Sequence, residues 1–140
     1  MALSQSYNQP MLETGFQLKH NVVAASTTLY AGTLCMNDSG VAKVMTAAGL
    51  AGGATLLGYP TSTIINDNGS SLTLAQPAMF RRACAMVIAA KSGDEPTIAN
   101  VGGSVYLKDN FSVGATNAGT DTAVTLLEVL SASLMLIRLP

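Results

Sequence analysis

Charge is what this chain has least of. Asp, Glu, Lys and Arg make up 11% of its 140 residues, against about 25% in an ordinary soluble domain. Seven Lys and Arg set against eight Asp and Glu leave a net charge of −1, so the chain has no basic field with which to hold phosphates, and nucleic acid is not an expected partner. Tryptophan is absent, and the three Phe and four Tyr are widely spaced. The clustered aromatic platform expected of a carbohydrate-binding barrel is therefore missing. Long apolar runs are missing too: the longest, Ala83 to Ala90, has eight residues, well short of the 18 or more that cross a bilayer as a helix. No membrane partner is expected. The first twenty residues lack a basic segment followed by an apolar one and do not read as a secretory signal.

Chemistry-bearing residues are equally sparse. The one histidine, His20, sits in LKHNVV with no Asp or Glu within six positions, and acid–base or nucleophilic catalysis needs a titratable group within reach of a partner. No GxSxG elbow is present. Cys35 and Cys84 lie inside apolar stretches and show no metal-ligand spacing, so they read as buried thiols. NDNGSS at 66–71 has neither alternating acidic ligands nor a closing Glu and reads as a turn, not a calcium loop. AGLAGGATLLG lacks the spacing of a phosphate cradle. Asp94 and Glu95 are adjacent, a poor arrangement for paired carboxylates, and read as a solvated turn. No catalytic residue, cofactor or metal is expected. Arg81-Arg82 is the one basic pair, read as a salt bridge or a contact to another subunit. Three Asn-x-Ser triplets, at Asn37, Asn68 and Asn110, read as loop chemistry.

What the chain does have is a succession of short segments rich in Val, Leu, Thr and Tyr, closed by Gly, Asn, Asp, Ser or Pro. That pattern predicts a mainly β fold, a compact β-barrel or β-sandwich-like domain. Strands are expected at 21–26, 29–36, 40–45, 54–59, 71–76, 78–90, 104–108, 122–130 and 134–139. One or two short helical turns are expected, within Thr46 to Ala51 and Asp94 to Val101. Residues 1–18 are Ser/Gln/Asn-rich and aperiodic, and read as an extended N-terminal arm preceding a single β-rich domain at 19–140. Within the last hairpin, TAVTLLEVL and LMLIRL carry one charge each, and a turn at 132–134 would place Glu128 across from Arg138.

The C-terminal half runs VGGSVYLKDNFSV at 101–113, a loop of small polar residues, then TAVTLLEVLSASLMLIRLP to residue 140. The order of glycine, short aromatic strand, Asp/Asn turn and final hairpin ending in a basic residue and leucine resembles the small head decoration, or capsid cement, proteins of tailed bacteriophages. TTLYAGTLCMNDSGVAKV and TLLGYPTS extend the likeness through the N-terminal half, so it spans about residues 20–140. The resemblance implies a non-enzymatic virion structural protein on the capsid exterior, made in the bacterial host cytoplasm, with the major capsid protein as partner. It also implies a homo-oligomer, a trimer favoured, and an arm that pairs with the shell. Leu3, Tyr7, Met11 and Leu12 are then the expected arm anchors, and Arg81 and Arg82 the expected oligomer or shell contacts. A head-fibre or tail component is the nearest alternative, followed by a small β-barrel binding module.

Overall fold

A computed structural model describes residues 3–9 and 15–140 of the chain. The fold is mainly β, as the strand-and-turn pattern predicts. Its twelve strands are β1 (Phe16–Val23), β2 (Thr27–Leu29), β3 (Cys35–Asp38), β4 (Val41–Val44), β5 (Thr55–Pro60), β6 (Ile64–Asn66), β7 (Leu72–Arg82), β8 (Ala85–Ala90), β9 (Ser104–Asp109), β10 (Ser112–Gly114), β11 (Ala123–Val129) and β12 (Leu134–Arg138). One α-helical turn, α1 (Ala47–Ala51), is capped by the Thr46 hydroxyl, which accepts the Gly49 amide. A 3-10 turn occupies Ile98–Asn100.

The strands close into two five-membered barrels. The first runs β1-β4-β3-β5-β7 and the second β8-β10-β9-β11-β12. Numbered by their order in the chain, the strands of both rings follow the same sequence: first, third, second, fourth, fifth. In both, the contact between first and third strands is parallel and every other contact is antiparallel. The chain thus winds the same barrel twice, and closure of each ring removes the open sheet edges that would otherwise invite pairing.

The two barrels share apolar packing. Val23, Leu29, Cys35, Ala42, Leu57 and Phe80 fill the first. A larger cluster fills the second with Met86, Ile88, Val105, Leu107, Leu126 and Ile137, and continues to Leu34, Met36, Met45, Leu56 and Tyr59 on the first barrel's elements. Strand β5 serves both clusters, because Leu57 belongs to one and Leu56 and Tyr59 to the other. Gly58 between them has φ +101, and a side chain there would collide with the Arg81 carbonyl, so this seam requires glycine.

Three expectations are corrected. The stretch expected as strands at 71–76 and 78–90 does form two strands, but the break lies elsewhere: β7 runs unbroken through Pro77 and Ala78 to Arg82, and the chain then bends at Ala83, whose φ is +53, before β8 begins. Strand β1 begins at Phe16, inside the stretch read as arm, because its backbone pairs with β7 from Phe16↔Arg82 onward. In the last hairpin Leu130 bonds back to Leu134, and a bulge lies between Leu126 and Glu128. Glu128 consequently faces Leu136 and Arg138 faces Thr125, so Glu128 and Arg138 are not directly opposed in the ladder. Met135, Ile137 and Leu139 share one face of the hairpin and are all buried.

Candidate functional site

Residues 3–9 of the arm lie on the domain. Leu3 and Tyr7 pack against the larger core cluster, and the Tyr7 ring meets Phe111 with centroids 4.7 Å apart. Met11 and Leu12, the other two expected anchors, lie outside the described residues. Side-chain amides complete the docking by imitating backbone. Asn110, buried in the β9–β10 turn, accepts the Leu3 amide through Oδ1 and donates through Nδ2 to the Leu3 carbonyl, both at 2.9 Å. Gln9 does the same to β8: Oε1 accepts the Val87 amide at 2.8 Å and Nε2 donates to the Val87 carbonyl at 2.7 Å. β8 begins its pairing with β10 only at Ala89, so this outward edge at Val87 would otherwise lack a neighbour. Between these two, the Tyr7 amide donates to Ala31 at 2.6 Å, and the Ser6 and Thr63 hydroxyls share a hydrogen bond of 2.6 Å.

Gly32 makes this seat possible. Its φ is +78, and a Cβ there would overlap the Tyr7 carbonyl. Beside the arm lies an open cleft of about 440 Å³, lined among others by Tyr7, Gln9, Gly32, Tyr59, Thr61 and Arg81. Among the described residues that line it there is neither a carboxylate nor a histidine. Burial, assisted by contact with Cys84, pushes the Tyr59 phenol up to about 12, so it is neutral at ordinary pH and suited to hydrogen bonding rather than to proton abstraction.

The two arginines separate. Arg81 lines the cleft. Arg82 turns into the chain: Nε donates to the Pro140 carbonyl at 3.0 Å and Nη1 to the Leu56 carbonyl at 2.7 Å. Its charge thus ties Pro140 to the β7–β8 bend.

The other titratable groups hold turns. Lys43 pairs with Asp38 across the β3–β4 hairpin at 2.8 Å. Lys108 pairs with Asp121 at 2.5 Å, and Asp94 accepts from the Thr116 hydroxyl and amide, which together fasten the 115–121 loop. The Thr116 hydrogen bond holds Asp94 below the usual carboxylate range, and the Lys108 hydrogen bond does the same for Asp121. His20 Nδ1 accepts the Val22 amide at 3.2 Å, beside the β1 bulge. Cys35 and Cys84 are buried, and desolvation pushes the Cys35 thiol up, away from thiolate chemistry. Among the described residues no group of three or more His, Cys, Asp or Glu could hold a metal ion, and no helix is long and apolar enough to cross a membrane.

Ile65 of β6 and Met79 of β7 are exposed on the first barrel's elements, and the second barrel bears the most exposed large apolar side chain together with three others. Ile98 is 84% exposed, and Val101, Leu127 and Leu130 are exposed with it. Gly102 and Gly103 bond to the Leu126 main chain, which sets the 3-10 turn against β11. Comparison of the two barrels shows what is different here. In the first, β2 lies between its first and second strands and β6 between its fourth and fifth; they pair with each other and bring Leu29 and Ile64 onto the core. In the second, the corresponding segments are the 3-10 turn and the tight turn after Leu130. No ribbon covers that position, and apolar residues stand there exposed.

The sequence reading did not foresee Gln9, Gly32 or Asn110. Asn110 carried a signal in its Asp-Asn turn, but its partner is more than a hundred positions away.

Two closed five-stranded barrels of common topology, joined by a shared core and strapped by an N-terminal segment, define the class of this protein structurally. No family model, curated protein or solved structure matches the chain.

Proposed function

We propose that the chain is a bacteriophage virion structural protein that binds the outside of the assembled head and stabilises it without making or breaking a covalent bond. The observation that carries this reading is the apolar surface of the second barrel, with Ile98 84% exposed in a chain only 11% charged. Exposed apolar side chains on the 3-10 turn, on β11 and in the turn after it favour a protein partner over a small solute. Complete burial of Ile98 would contribute about 1.5–3 kcal/mol, and of the already half-buried Val101, Leu127 and Leu130 less than half of that each, before the cost of association. Repeated at many equivalent positions, weak binding to the assembled shell and not to its dissociated subunits stabilises the shell by mass action. The resemblance of 101–140 to capsid cement proteins supplies the partner, the major capsid protein, and the expectation of a trimer.

The reading is tested with heads prepared without the protein from the phage that encodes it. Purified chain should bind the exterior to a fixed, saturating number of copies, and Ile98→Glu with Leu127→Glu should lower affinity at least tenfold while leaving the fold unchanged by circular dichroism. Absence of binding to heads, or binding to tails alone, would overturn it.

A further inference from the structure

The arm and its seat have a property independent of any shell. Among the described residues, the hydrogen bonds of residues 3–9 go to positions 31 and beyond, to Ala31, Gly32, Thr63, Val87 and Asn110. The seat is built from the barrels: the β8 edge is fixed by β12 on its other side, Asn110 by the β9–β10 hairpin, and Gly32 by the hydrogen bond its N–H donates to the Pro60 carbonyl. Each arm-to-seat interaction is therefore between a short extended segment and a preformed groove, and none depends on the segment's belonging to the same molecule.

We propose that this groove is an exchange site, which takes residues 3–9 of a second copy of the chain in place of its own. Exchange of an identical element keeps every contact and adds only the cost of association. The five residues 10–14 join arm to β1 and reach at most about 20 Å between Gln9 and Gly15. A tether that short sets an effective concentration in the millimolar range. In dilute solution each arm stays on its own barrel pair; where copies are held side by side within that reach, neighbouring grooves compete on equal terms. The groove reads main chain at Leu3 and Tyr7, one aromatic ring at Tyr7 and one carboxamide at Gln9, so the occupant is this arm.

Complementary variants of the full chain test the proposal. Gly32→Ala closes the seat, because the added methyl overlaps the Tyr7 carbonyl, and leaves the arm intact. Tyr7→Ala with Gln9→Ala cripples the arm and leaves the seat open. Mixed near millimolar concentration, the two should form a one-to-one complex by native mass spectrometry, about tenfold more abundant than dimers of either alone. No excess of the mixed complex would overturn the proposal, as would an undiminished complex when the Gly32→Ala partner also carries Tyr7→Ala and Gln9→Ala. Wild-type chain supplies a check that needs no variant. In a mixture of isotope-labelled and unlabelled protein, intermolecular proton contacts between the Tyr7 and Phe111 rings should appear and grow with concentration; their absence at millimolar concentration would count against exchange.

Discussion

Buried amides carry much of the long-range order in this molecule. Asn66 is 1% exposed, and its Nδ2 lies within hydrogen-bond distance of the Val23, Ala24 and Ser70 carbonyls, while its Oδ1 accepts the Asn68 amide. One side chain therefore fastens the β2–β6 ribbon to the end of β1. Asn66→Ala leaves these groups without their partner, and a loss of about 1–3 kcal/mol is expected from denaturant unfolding. Gln9→Ala should cost less global stability, because the arm lies outside the barrels. Its signature is local: faster hydrogen exchange at the Val87 amide and earlier proteolytic cleavage of the arm. Ala83 gives the opposite sign. Its φ of +53 costs an L-residue about 1–2 kcal/mol, while glycine adds about 0.4–1 kcal/mol of unfolded-state entropy. Ala83→Gly should thus be neutral or stabilising by up to about 1 kcal/mol, measured by the same unfolding experiment.

At the level of elements, strand content was legible and strand ends were not. Met135, Ile137 and Leu139 alternate along β12 and are all buried, because a period of two survives whatever lies opposite. Register did not survive, since a bulge near Leu127 moves every partner beyond it, and no residue type there announces a bulge. The bend between β7 and β8 was hidden for a related reason: Arg82, Ala83 and Cys84 are ordinary strand or helix residues, and the turn is imposed by Arg82 and Ala83 bonding to the Pro140 carbonyl from the far end of the chain. The 115–121 loop is held by charge, and so by pH. Asp94 and Asp121 have their proton affinities lowered by Thr116 and Lys108 respectively. Their contribution is fully present above the unfolded-chain value of about 3.9 and is lost as pH falls through the lower folded values. Amide exchange at Thr116 and Ala118 should therefore show constant protection from neutral pH down to about pH 5 and lose it in stronger acid. Protection that weakened between pH 5 and 7 would contradict this assignment.

For the whole molecule, one feature escaped sequence reading altogether, namely that the chain winds one topology twice. The motif TLL occurs at 55–57 and again at 125–127, which looks like a trace of repetition, yet the inward leucines are Leu57 in the first barrel and Leu126 in the second. Opposite parity at matching letters leaves no alignable repeat, and only the order of pairing reveals it. The exposed Ile98 was equally invisible, because an isoleucine in a short turn looks like any other core residue until the ribbon that covers the equivalent place in the first barrel is seen to be missing from the second. With few charges to screen, association through that surface should change little between low and high salt by light scattering. The most direct measurement is a cryo-electron microscopy map of an intact virion of the kind to which the proposed function assigns the chain. The account predicts paired five-stranded barrels in regular array on the outside of the head, with the Ile98 surface against the major capsid protein. Barrel density confined to the tail, or a virion without the chain, would contradict it.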